Sequence, residues 1–175
     1  PPYKAILNDT MITRDNLFFD FNQVIDLANE TKMFILSSEA GTGKTETFRH
    51  LTIKIKKKFP MHWVSYIDLK NHLELYNKNE YLLNIEIFLE KILSINQENK
   101  FERKIFSKFY NSNRLILLWN GFDEIAPNYN EFIVNVLKLI QKNTKNIQYI
   151  CTRPFYVQQL RENLHISIIS FLKIN

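Results

Sequence analysis

Apolar positions along the chain fall into two alternating patterns. Short, mainly apolar runs occur at Met33-Phe34-Ile35-Leu36, Trp63-Val64-Ser65-Tyr66-Ile67, Leu115-Ile116-Leu117-Leu118-Trp119, Ile147-Gln148-Tyr149-Ile150-Cys151 and across 166–172. Runs this short, rich in β-branched and aromatic residues, predict strands buried on both faces. Helical periods lie between them. Residues 44–58 predict a helix closed by Pro60. Ile85, Phe88, Leu89, Ile92 and Leu93 share one helical face. Phe101, Ile105 and Phe109 mark a third helix; Phe132, Ile133, Val136, Leu137 and Ile140 mark a fourth that ends near Asn143. Residues 158–163 suit a short fifth, while 70–84 is polar and irregular and predicts no element. Buried strands alternating with helices imply a parallel sheet covered on both faces, a three-layer α/β domain. The 175 residues suit one domain, 1–175, with 1–17 as a lead-in.

Composition sharpens this picture at one residue type. Glycine occurs only three times, at Gly41, Gly43 and Gly121. Collagen-like and glycine-linker classes are excluded, and a chain so sparing should place glycine only where a side chain does not fit. Ordinary turns then fall to Asn and Asp. The net charge is +5, with much of the excess in Lys54-Ile55-Lys56-Lys57-Lys58, which reads as a solvated helix face. A nucleic-acid partner would need a broader basic stripe with aromatics, so none is expected. The lone Cys151 lies in an apolar run and has no internal disulfide partner, which suits a reducing, cytoplasmic setting. No apolar stretch approaches the ~20 residues of a membrane span. The chain opens Pro1-Pro2-Tyr3 with no signal-peptide pattern, and without a start Met a fragment is expected. The acceptor patterns at Asn8 and Asn29 are read as chance.

The chemistry begins after the first strand, at Ser38-Glu39-Ala40-Gly41-Thr42-Gly43-Lys44-Thr45-Glu46. An apolar strand, this loop and a helix together form the Walker A context. Loop amides that wrap phosphate oxygens leave no room for Cβ atoms at the tight points, so Gly41 and Gly43 fit there. The helix N-terminus attracts the anion, Lys44 suits the β- and γ-phosphates, and Thr45 suits Mg²⁺. Glu39, Ala40, Gly41, Thr42, Gly43, Lys44, Thr45 and Glu46 are therefore the candidate nucleotide-binding residues. Ser38 stands where the strict pattern has Gly. The third strand ends in Trp119-Asn120-Gly121-Phe122-Asp123-Glu124. A phosphate loop needs carboxylates at such a strand end, for Mg²⁺ and for the attacking water, which makes Asp123 and Glu124 the candidate catalytic pair.

These residues resemble the extended Walker B pattern of NACHT-domain NTPases, in the STAND branch of P-loop ATPases, and are similar to arthropod NACHT domains. The likeness continues through Ile125-Ala126-Pro127, through Cys151-Thr152-Arg153-Pro154, and through 63–69 with its trailing Asp-Leu; it covers about 18–172. The resemblance implies a five-stranded parallel sheet in the order 5-1-4-3-2, with Arg153 sensing the γ-phosphate. It implies a metal set of Thr45, Asn120 and Asp123, and ATP or ADP with Mg²⁺ as ligands. It further implies a nucleotide-dependent switch in signalling, in innate immunity or cell death, with self-association through the full-length protein. Asn120 departs from the family, which has Asp there. Asn keeps an oxygen ligand and loses the charge a hard dication prefers, so slow or absent turnover is expected. A weakened pseudo-NTPase interaction module and another P-loop ATPase, such as an AAA+ protein, are the alternatives. Asn77-Lys78-Asn79-Glu80 only imitates a guanine-reading motif, and His50, His62, His72 and His165 lack metal-ligand spacing.

Overall fold

The computed structural model describes residues 32–164 in full, together with the backbone of three strands outside that span. In chain order the elements are β1 (Tyr3–Leu7), β2 (Thr10–Arg14), β3 (Met33–Ser38), α1 (Lys44–Lys58), β4 (Trp63–Asp68), α2 (Ile85–Ile92), α3 (Lys100–Asn111), β5 (Leu115–Asn120), α4 (Phe122–Asn143), β6 (Ile147–Thr152), α5 (Pro154–Leu164) and β7 (Ser170–Ile174). Two 3₁₀ stretches, Leu69–Leu75 and Asn79–Leu82, fill the interval where no element was predicted. They bury Leu69, Leu75 and Tyr81, so that polar-looking segment is part of the core.

Among the fully described residues the parallel sheet has four strands, in the order β3-β6-β5-β4, and backbone strand β7 pairs parallel with β3 beside them. The predicted strand at 166–172 falls partly outside the described residues. Backbone strand β7 runs over Ser170–Ile174 beside β3, and β1 and β2 extend that side antiparallel. The sheet is thus mixed, and the expected lead-in contributes two strands to it. Pairing of this kind covers the exposed edge that β3 or β7 would otherwise present.

Side-chain alternation sorts the core into two layers. Phe34, Leu36, Ile116, Leu118, Tyr149 and Cys151 face α1, which lays Phe48, Leu51 and Ile55 against them. Met33, Ile35, Leu117, Trp119 and Ile150 face the other way, towards α2, α3, α4 and α5. β3, β5 and β6 are buried along their whole length, as unbroken apolar runs require. β4 is an edge strand and is buried only at Val64 and Ile67, one on each face. Asparagine takes over work that glycine often does. Asn84 and Asn99 cap α2 and α3 with their side-chain oxygens, and Asn113 turns the chain at φ 58°.

One helix sits rotated from its sequence pattern. On α3 the buried residues are Phe106 and Tyr110, whereas Phe101 is 73% exposed. Phe106 meets Trp63 edge-on with ring centroids 6.0 Å apart. Strand β4 supplies that aromatic partner, so the docking face follows the sheet rather than the helix's own periodicity. Truncating Phe106 to Ala is expected to cost about 3–5 kcal/mol in denaturant unfolding. Phe101→Ala on the same helix is expected to stay within about 0.5 kcal/mol of wild type.

Candidate functional site

Three strands of the parallel sheet end at one edge, and each hands the chain to a helix there. β3 passes through Glu39–Gly43 into α1. Gly43 is the residue before the helix and adopts φ 80°, a left-handed conformation that a side chain disfavours; Gly41 lies at φ 78°. No atom lies within 4 Å of a Cβ built on either, so the space over the loop is open. The requirement at these positions is backbone conformation and approach from outside, as a phosphate cradle demands.

The loop is braced by its own side chains. Lys44 Nζ donates to the carbonyls of Ser38 at 3.1 Å and Glu39 at 3.2 Å. The Thr42 hydroxyl donates to the Glu39 carbonyl and lies 2.8 Å from Ser38 Oγ. Ser38 is fully buried, which explains the missing first glycine: its hydroxyl is a strut under the loop. Ala40 and Glu39 are exposed at the loop's crest. Thr45 is half-buried in the first turn of α1, beside Glu46, which pairs with His50 at 3.3 Å and Arg49 at 3.8 Å. The first-turn amides of α1 have no partner within the helix, so they are available to an anion.

β5 turns into α4 through Gly121, at φ 77°. A Cβ there would come within 3.3 Å of Glu124 Oε1 and 3.8 Å of Asp68 Oδ1. Left-handed backbone and this close approach together favour a residue without a side chain at the turn. Phe122 is buried beneath it, while Asp123 and Glu124 occupy the first turn of α4, where negative charge suits the helix N-terminus. Pro127, inside the same helix, has no N–H to give the Asp123 carbonyl.

β6 passes through Arg153 into α5, with Pro154 at the first helical position. Arg153 Nε lies 2.8 Å from Asp123 Oδ2. The predicted sensor and the predicted catalytic acid are thus each other's partner. Thr152, next to Arg153, is fully buried and its hydroxyl has no hydrogen-bond partner.

Two site residues escaped the sequence reading. Asp68 ends β4 and is the register partner of Asn120 on β5. Pleat alternation carries both to the α1 side of the sheet. Asn120 is 2% exposed, and Asp68 Oδ1 is buried without a hydrogen bond. Lys70 Nζ stands 3.9 Å from Asp68 Oδ2 and 3.5 Å from Glu124 Oε2. The available signal was the Asp that closes the second strand, but its value depends on a strand register the sequence does not display.

Cys151, on the middle strand β6, reports how these groups converge. Burial pushes its thiol up to about 12; Lys44 opposes that, and Asp123 and Glu124 add to it. In the sheet Cys151 pairs with Leu36 and Thr152 with Ser37, so β6 and β3 deliver Arg153 and the 39–43 loop side by side. Among the described residues no group of three His, Cys, Asp or Glu could hold a metal alone. The positive-φ loop, the open space above it and the unpartnered Thr152 and Asp68 oxygens fit a nucleotide with its metal at this edge. Residues 15–31, with Asn29, lie outside the described residues, as do Asn8 and His165.

No family model and no curated protein matches the chain. Among solved structures it is similar to that of C. elegans PCH-2, at 12% identity and a TM-score of 0.48, over 87% of this chain and 41% of that one. The chain spans about two fifths of the length of that neighbour. Among the described residues no helix is long and apolar enough to cross a membrane.

Proposed function

We propose that the chain is a nucleotide-binding regulatory module of NACHT type, which binds ATP and ADP at the edge formed by β3, β6 and β5. The observation that carries this reading is the strand-loop-helix unit in which Gly43 turns left-handed and Lys44 lies across the loop carbonyls. The reading takes backbone strand β7 as the fifth strand of the order 5-1-4-3-2. It also takes the chain as part of a larger cytoplasmic protein that self-associates in a nucleotide-dependent way, in immune or cell-death signalling.

In this reading Lys44 leaves the Ser38 and Glu39 carbonyls to hold the β- and γ-phosphates. The amides of 39–46 wrap the phosphate oxygens, and Thr45 supplies a hydroxyl to the metal. Mg²⁺, when bound, neutralises charge between the phosphates. Glu124 accepts a proton from, and orients, the attacking water. Arg153 reads the γ-phosphate by charge.

A second reading, a nucleotide-binding module with little or no turnover, is favoured by Asn120. The amide is buried at the strand end where a carboxylate would serve the metal. Two measurements separate these readings from each other and from no binding at all. In equilibrium titration with ATP, Lys44→Ala is expected to weaken binding about ten-fold or more, as loss of a charge-assisted contact does; equal affinities contradict the site. In a Mg²⁺-dependent phosphate-release assay, Asn120→Asp is expected to exceed wild type about ten-fold or more, the scale of one metal-ligand change; equal rates remove Asn120 as the cause of slow turnover.

A further inference from the structure

The Asp123–Arg153 pair couples two side chains that the reading above gives separate tasks. The Asp123 side chain is 5% exposed and Arg153 is 53% exposed. A nearly buried carboxylate without a partner is costly, so this contact defines the resting arrangement. The pair is also backed by packing. Asp123 lies at the start of α4 and Arg153 immediately before α5, and their neighbours Phe122 and Tyr156 meet edge-on at 5.8 Å. The guanidinium is therefore engaged before any nucleotide arrives.

We propose that Asp123 is the specificity-determining residue of this site: it competes with the terminal phosphate of a nucleoside triphosphate for Arg153, and so sets the preference between triphosphate and diphosphate. The inference rests on the nucleotide-binding reading above. A diphosphate has no γ-phosphate and leaves the pair intact. A triphosphate must draw Arg153 away from Asp123, and part of its binding free energy is consumed in that exchange. A divalent cation offers Asp123 a new partner, so metal favours the triphosphate through the same pair. Thr152 on β6 lies opposite Ser37 on β3, so Arg153 and its partner Asp123 leave the sheet beside the start of the 39–43 loop.

Plain repulsion between Asp123 and phosphate is a different explanation, and a double-mutant cycle separates the two. ATP and ADP affinities would be measured in EDTA for wild type, Asp123→Asn, Arg153→Ala and the double variant of the full chain. Asp123→Asn is expected to tighten ATP about five-fold or more, within the usual range of coupling between sites, and to leave ADP unchanged. In the Arg153→Ala background the same change is expected to have no effect. Equal tightening of ATP and ADP, undiminished tightening of ATP without Arg153, or no tightening at all overturns the proposal. Asp123→Ser is the second variant, with the same expectation, should the Asn variant fail to fold. Absence of nucleotide binding by wild type would instead refute the nucleotide-binding reading on which the proposal rests.

Discussion

The structure depends on how a buried parallel strand becomes a helix at one sheet edge. β3, β5 and β6 are buried throughout, so they offer no side chains to the solvent until they end. All their chemistry is compressed into the few residues that follow. Two of the three turns use a left-handed glycine, Gly43 before α1 and Gly121 before α4, and the third uses Pro154 to open α5. The result is three helix N-termini along one edge, with Lys44, Asp123 and Arg153 at their starts.

Charges at this edge are matched to one another in the absence of a ligand. Lys44 bonds to loop carbonyls, Arg153 to Asp123, and Lys70 bridges Asp68 and Glu124. Each contact would have to be exchanged for a phosphate or a metal. If the proposed nucleotide binds here, these groups change partners, which is the local event a switch needs if it is to bias a larger arrangement. Asn120 fits the same logic. The carboxylate it lacks stands one strand away, on Asp68, where register rather than sequence neighbourhood puts it.

The features legible in the sequence are those with local causes. Helix α1 spans the predicted Lys44–Lys58, because the loop glycine starts it and Phe59-Pro60 stops it. The four central strands fall where the apolar runs lie, and the glycine shortage led directly to both turns. Features with distant causes were not legible. The buried face of α3 is chosen by Trp63 on β4, the core role of 69–82 by aromatic partners such as Tyr129 and Phe132, and the value of Asp68 by its pairing with Asn120. The antiparallel strands β1 and β2 carry no unbroken apolar run, so the pattern that revealed the central strands passed over them.

The central claim is that this edge holds an adenine nucleotide. The most direct measurement is to purify the protein, denature it and separate the nucleotides it releases. ADP or ATP is expected from wild type and neither from Lys44→Ala. Release of a guanine nucleotide, or of none even after incubation with ATP and Mg²⁺, would contradict it.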